Sequence, residues 1–181
     1  MGDRSVTRNC GPDLARVGAG LPVAAYRDEI TTALHGGRAV IVAPPGTGKT
    51  TFVPPLVASR CSGRVIVTQP RRVAARAAAR RLAALTGTRP GEFASHTVHG
   101  ESTTTRDTKV EFVTTGVLLR RLLSDPDLTG VDAVVLDEVH ERHLDADLVV
   151  AMVCEVAQLR DDLTIVAMSA TVDSSGWAAF L

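Results

Sequence analysis

Two short stretches of this 181-residue chain carry residue types whose spacing suits chemistry on phosphates. The first is APPGTGKTT (43–51). Gly46 and Gly48 there let the backbone curl so that successive N–H groups point at one anion. A helix starting just after would add its unpaired amides and the positive end of its dipole. Lys49 supplies a point charge for the β- and γ-phosphates of a nucleotide, and Thr50 offers a hydroxyl to Mg²⁺. The strict GxxxxGK[ST] pattern wants Gly where this chain has Ala43, but Gly46-x-Gly48-Lys49-Thr50 is intact. A plain Gly/Pro turn is the bland account of such a stretch, yet a chance GxGKT between a strand and a helix is rare.

The second stretch is DEVH (137–140), at the end of the apolar run VDAVVL (131–136). Asp137 at a strand tip can hold Mg²⁺, directly or through water. Glu138 beside it can accept a proton from a water attacking the γ-phosphate. Phosphoanhydride hydrolysis needs those two tasks side by side. An Asp-Glu pair alone would be a solvated loop start; about 90 residues after a phosphate loop it reads as the metal-and-base pair of a nucleotide hydrolase. A zinc-protease reading of His140-Glu141-Arg142-His143 fails on spacing, since HExxH needs histidines four apart and these are three apart.

The elements that must position these residues alternate along the chain. RAVIVA (38–43), RVIVTQ (64–69), KVEFVT (109–114), DAVVLDE (132–138) and LTIVAMSA (163–170) are short, Val/Ile-rich and unbroken. Such runs suit strands buried on both faces of a parallel sheet. Helical candidates lie between them at 49–59, 71–86, 115–124 and 146–159, with one more at 24–35 stopped by Gly36-Gly37. This alternation predicts an α/β domain, a mostly parallel central sheet with helices on both faces. Its ligands belong beyond the carboxyl ends of the strands. Residues 1–20 read as a loose lead-in, and ESTTTRDT (101–108) as an exposed loop.

Composition narrows the partners. Twenty basic and twenty acidic residues cancel, so any nucleic-acid site must be a local patch. Four Phe, one Tyr and one Trp leave little for base-stacking platforms. Three cysteines far apart, with no CxxC, argue for reduced thiols over a disulfide framework or zinc ribbon. No apolar run reaches the roughly 18 residues of a membrane span. The N-terminus has no apolar signal core, so the cytoplasm is the expected compartment.

With both stretches in view, the chain resembles DEAH/RHA-type superfamily 2 helicases, most like the bacterial HrpB group. LPVAAYRDEI (21–30), APPGTGKTT, TQPRRVAARAAARRL (68–82), TTG (114–116), DEVHER (137–142) and MSAT (168–171) carry the likeness in order, over residues 21–181. In that family an Ala opening the phosphate loop is usual. The resemblance implies a RecA-like P-loop NTPase domain over 21–181, the first of two motor domains. It implies that Gly46, Thr47, Gly48, Lys49, Thr50 and Thr51 bind ATP or another NTP, and that Arg81 stacks on the base. Asp137 and Glu138 would be the metal and catalytic acids, while His140, Ser169 and Thr171 would link hydrolysis to domain movement. Arg71, Arg72 and Thr114 match positions that touch the backbone of single-stranded RNA, with DNA the other candidate. For Arg76 and Arg80, four apart from Arg72, a solvated helix face is the simpler account.

Two departures from the pattern matter. Val139 replaces the Ala of DEAH and keeps a small apolar side chain. Thr97 and His99, within SHTVHGE (95–101), stand where HrpB-like chains tend to carry Arg, which weakens the expectation of a strand contact from that loop. The resemblance also implies a second RecA-like domain, source of arginine fingers, and no QRxGRxGR-like run occurs in this sequence. A nucleotide sensor without turnover, a small P-loop kinase and a double-stranded DNA translocase are the competing readings. Glu138 argues against the sensor, and the lack of an Arg-rich lid after DEVH argues against the kinase.

Overall fold

The computed structural model describes residues 11–141 and 144–171. Its centre is a seven-stranded sheet: β1 Arg38–Val42, β2 Arg64–Gln69, β3 Ala94–Val98, β4 Glu101–Ser102, β5 Val110–Thr114, β6 Val131–Leu136 and β7 Thr164–Ser169, in spatial order β1-β7-β6-β2-β5-β3-β4. All pairings are parallel except the short β3–β4 hairpin. The six parallel strands therefore present their carboxyl ends along one edge.

Helices α1 Leu14–Gly18, α2 Arg27–Ala33, α3 Lys49–Ala58, α4 Arg72–Thr86, α5 Thr115–Ser124 and α6 Leu144–Leu159 are joined by two 3-10 turns, Pro22–Tyr26 and Leu34–Gly36. The chain crosses the sheet in one direction through α3 and α4 and returns through α5 and α6. Right-handed crossovers run in opposite directions put the two helix pairs on opposite faces. The core divides accordingly. Phe52, Val53, Ala79 and Leu82 pack on one face with Val65, Val67, Val135 and Met168. Leu118, Leu122, Val149 and Val153 pack on the other with Ile66, Val134, Leu136 and Ile165. Alternate residues of one strand thus feed both cores, which is why these strands read as unbroken apolar runs.

The described part of the lead-in is more ordered than its sequence suggests. Asp13 Oδ1 accepts from the amides of Ala15 and Arg16 at 3.1 Å and so caps α1. Val17 is buried, and a Cβ on Gly18 would lie 2.8 Å from the Phe52 ring, so α1 is part of the core against α3. The first ten residues lie outside the described part.

The 95–108 region also departs from expectation. SHTV is strand β3 and not loop, and Ser95, His96 and Thr108 are buried. Polar residues are tolerated there because each finds a partner. His96 Nε2 lies 2.8 Å from Glu101 Oε1, Ser95 Oγ lies 3.2 Å from Thr104 Oγ1, and the Thr108 hydroxyl donates to Gly91 O at 2.6 Å.

Candidate nucleotide site

The carboxyl edge gathers residues far apart in sequence. β1 runs into residues 43–48, which curl through two left-handed glycines, Gly46 at φ 78° and Gly48 at φ 90°. Gly48 caps α3 and passes so close to Leu21 that a Cβ would lie 2.9 Å from its side chain. The 21–30 segment also holds the loop through its backbone: the amide of Val23 donates to Thr47 O at 3.1 Å. Thr47 Oγ1 donates to Pro44 O at 2.8 Å, and the amide of Thr51 donates to Gly48 O at 3.0 Å. Lys49 is buried, its ammonium folded back onto the carbonyls of Ala43 and Pro44. An incoming phosphate would replace those neutral acceptors with anionic ones, which an ammonium prefers.

Thr50, in the first turn of α3, meets the end of β6. Its hydroxyl donates to Asp137 Oδ2 at 2.6 Å, and Gln69 Nε2, at the end of β2, donates to the same oxygen at 2.6 Å. The Asp137 amide donates to Thr68 Oγ1 at 3.1 Å. Burial pushes the Asp137 carboxyl above its ordinary range; the Thr50 and Gln69 hydrogen bonds oppose that shift, and the charge of Glu138 adds to it. Gln69 lies in the TQPRR stretch, but no role was assigned to it there. A buried polar residue ending an apolar strand was the available signal, because such a group must find a partner.

A buried carboxylate beside a hydroxyl is a hard-oxygen pair that fits Mg²⁺, which takes one or two protein oxygens and fills its remaining positions with water and phosphate. Thr50 and Asp137 would hold such an ion. Glu138 follows with φ 54°, a left-handed backbone unusual for a residue with a Cβ, and its amide donates to Asp137 Oδ1 at 2.9 Å. Asp137 and Glu138 line the same cleft with different partners: Asp137 is held by Thr50 and Gln69, while Glu138 Oε2 lies 3.4 Å from His140 Nδ1. The arrangement can therefore hold a metal-bound phosphate on one carboxylate and orient a water with the other.

His140 is the next side chain along. Its Nδ1 lies 3.4 Å from Glu138 Oε2 and 3.4 Å from the amide nitrogen of Ala170. Ser169 ends β7, and its carbonyl accepts from the Ala43 amide at 3.2 Å. The Ser169 hydroxyl donates to Thr171 O at 3.2 Å. The loop after β7 is thus tied to both the phosphate loop and the acidic turn.

A comparison across protein families matches residues 26–178 to the DEAD/DEAH box helicases. The chain belongs to that family. It is 44% identical over 158 residues to the ATP-dependent RNA helicase HrpB of Escherichia coli, a match covering 85% of this chain and 20% of the relative. It is 35% identical over 158 residues to the ATP-dependent RNA helicase HrpA of Borreliella burgdorferi, covering 85% and 19%. A crystal structure of the E. coli DEAH/RHA helicase HrpB superimposes with a TM-score of 0.81 at 43% identity, over 85% of this chain and 20% of that one. The chain therefore spans about a fifth of the length of these relatives. Its RecA-like helicase fold is that of the HrpB domain it matches.

The remaining motif residues of this DEAH-type helicase domain fall outside the Thr50–Asp137 cluster. Arg81 is exposed on α4, and among the described residues no hydrogen bond or ion pair joins it to the cluster. Arg71 and Arg72 start α4 on the carboxyl edge but part company. Arg71 reaches Glu141 at 3.7 Å, whereas Arg72 faces Thr114, the N-cap residue of α5, across a groove. Arg76 is not a merely solvated residue: its Nε donates to Glu101 Oε2 at 3.0 Å, bridging α4 to β4. Arg76 and His96 together hold the Glu101 carboxyl down at about 2. His143 and the residues after Thr171 lie outside the described part.

Proposed function

We propose that residues 21–181 form the ATP-binding motor domain of an ATP-dependent RNA helicase. The observation that carries this reading is the 2.6 Å contact between Thr50 and Asp137, which puts the phosphate loop and the acidic turn around one small volume. Gly46, Thr47, Gly48, Lys49, Thr50 and Thr51 bind the triphosphate, and Arg81 stacks on the base. Mg²⁺, held on Thr50 and Asp137, would neutralise charge on the β- and γ-phosphates. Glu138 takes a proton from water as the water oxygen bonds to the γ-phosphorus and the bridging oxygen departs with the diphosphate. Ser169, Thr171 and His140 pass the change to the domain edge. Arg71, Arg72 and Thr114 hold the backbone of single-stranded RNA. The protein works in the cytoplasm; among the described residues no helix is long and apolar enough to cross a membrane.

The site is half of an enzyme in this reading, because a second RecA-like domain closes over the nucleotide and supplies an arginine finger. Such a finger is worth roughly 10³–10⁵ in rate. The chain alone should bind Mg·ATP and turn it over slowly. The deciding experiment compares ATPase rates with and without single-stranded RNA, for this chain alone and joined to a downstream RecA-like domain. RNA stimulation confined to the joined form is the expected result. Full-speed turnover by the chain alone, or none in either form, would overturn the reading.

A further inference from the structure

Arg72 and Arg120 converge on a groove of 410 Å³ at the carboxyl edge, walled also by Pro70, His99, Thr114 and Gly116. Both arginines are exposed, and among the described residues neither has a carboxylate within ion-pairing distance. Among the described residues no acidic side chain lines this groove. The neighbouring cleft, which shares Pro70, Thr114 and Gly116 with it, is lined by Asp137, Glu138, Glu141 and Asp145. A polyanion crossing this edge is attracted to one cleft and repelled by the other.

His99 stands at the tip of the β3–β4 hairpin. Its Nδ1 lies 3.1 Å from Arg120 Nη1, and because a guanidinium only donates, the ring nitrogen is the acceptor in that contact. The hairpin is anchored below by Arg76 and His96 on Glu101. The cation at this point of the surface therefore comes from α5, held by His99 of the hairpin.

We infer that Arg120, positioned by His99, completes with Arg72 and Thr114 a groove for consecutive phosphodiesters of a single strand. This rests on the helicase reading and adds Arg120 as a strand-binding residue and His99 as a positioning residue. The groove reads phosphate and not sugar or base, so RNA and DNA strands should depend on it equally. Guanidinium groups suit such contacts because their N–H forks match phosphate oxygens.

The test is a salt titration of labelled oligouridylate and oligodeoxythymidylate binding to the whole chain. Arg120→Ala, His99→Ala and the double variant are compared, with Arg89→Ala as a charge-matched control beyond the far end of α4. Arg120→Ala should weaken both strands about tenfold, the worth of one charge-assisted hydrogen bond. It should also flatten the log–log salt slope by about 0.7, the share of one phosphate on a single strand. His99→Ala should weaken binding by about two- to threefold without changing the slope, and the double variant should match Arg120→Ala, because His99 acts only through the arginine. Mg·ATP binding and melting temperature should not move.

If wild type binds both strands but Arg120→Ala behaves like Arg89→Ala, the groove is overturned and the motor reading stands. Additive losses in the double variant would overturn the positioning role of His99. A loss confined to RNA would overturn phosphate readout. Wild type that binds neither strand would overturn the strand-binding part of the motor reading, and this groove with it.

Discussion

The Thr50 hydroxyl and the Asp137 carboxylate are hydrogen bonded at 2.6 Å although 87 positions separate them. β1 and β6 are not neighbours; β7 lies between them. The contact exists because α3 starts beside β6 while its strand starts two places away. Gln69 fixes the same carboxylate oxygen from the other side. The acid is therefore held by two elements, α3 and β2, before any ligand arrives, which is what a preorganised site requires.

That arrangement destabilises the unliganded protein. Burial raises the Asp137 pKa above the ordinary value of 3.8, so between that value and the raised one the folded state holds a proton that the unfolded state has released. Stability from this group must fall as pH rises through that window, because ionising the carboxylate leaves a charge in a buried place. Asp137→Asn removes the charge and can keep the Thr50 contact. It should raise the melting temperature measured without Mg²⁺ by about 2–4 °C for each kcal/mol recovered. The same variant should lose Mg²⁺-dependent nucleotide binding. A lower melting temperature in the variant would mean that the carboxylate is stabilising as it stands.

Two glycines of the loop separate backbone strain from crowding. Gly46 has φ 78° with open space where a Cβ would go, so Gly46→Ala should cost only the left-handed penalty, about 1–2 kcal/mol. Gly48→Ala adds a collision with Leu21 at 2.9 Å and should cost more while also displacing the cap of α3. Chemical denaturation ranks the two. Equal losses would show that Leu21 yields freely and has no part in shaping the loop.

A third prediction concerns Glu111, which is wholly buried on β5. Arg121 grips it with two bonds of 2.9 Å, Arg64 adds one at 3.2 Å and the Thr97 hydroxyl one at 2.7 Å. Burial pushes its pKa up, but the Arg121 hydrogen bonds and the neighbouring charges outweigh that and hold it below 4.5. A depressed carboxylate contributes stability above the ordinary Glu value and loses it as pH falls through the depressed one. Glu111→Ala leaves two guanidinium groups facing a hole and should cost about 3–5 kcal/mol at neutral pH. The difference between wild type and variant should shrink on acidification. A difference independent of pH would remove the charge from the explanation.

How far the sequence speaks depends on which force decides each element. β2, β6 and β7 were legible because strands buried on both faces need continuous apolar residues, and little else does in so few positions. β3 was not legible. Its buried Ser95 and His96 and half-buried Thr97 are satisfied by partners at residues 101–111 that no local pattern reveals. α1 was missed for another reason: a five-residue helix has too short a period to detect, and its support is Phe52 of α3. For the site, Lys49, Thr50 and Asp137 announce themselves by spacing. Gln69 and Leu21 do not, since their work is to hold another residue in place. The resemblance named Arg71 and Arg72 alike, whereas the fold turns one toward Glu141 and the other toward the groove.

One imidazole nitrogen faces both sides of the proposed energy-transfer path. His140 Nδ1 can accept from the Ala170 amide only when it carries no proton, and can donate to Glu138 only when it does. The two contacts exclude each other at that nitrogen, so the charge near Glu138 and the position of the loop after β7 are linked through a single atom. His140→Ala removes the link without removing a phosphate or strand contact. Binding of Mg·ATP alone and of a single strand alone should change by less than about twofold, because the ring's partners are Glu138 and the Ala170 amide and neither is assigned to hold the triphosphate or the strand. The coupling between them is what should vanish. In wild type the factor by which nucleotide changes strand affinity must equal the factor by which strand changes nucleotide affinity, typically about 5–150-fold for coupled sites. In His140→Ala both factors should fall together toward one. If the variant keeps the wild-type coupling factor in both directions, the signal travels by the direct Ala43–Ser169 backbone contact and not through the histidine.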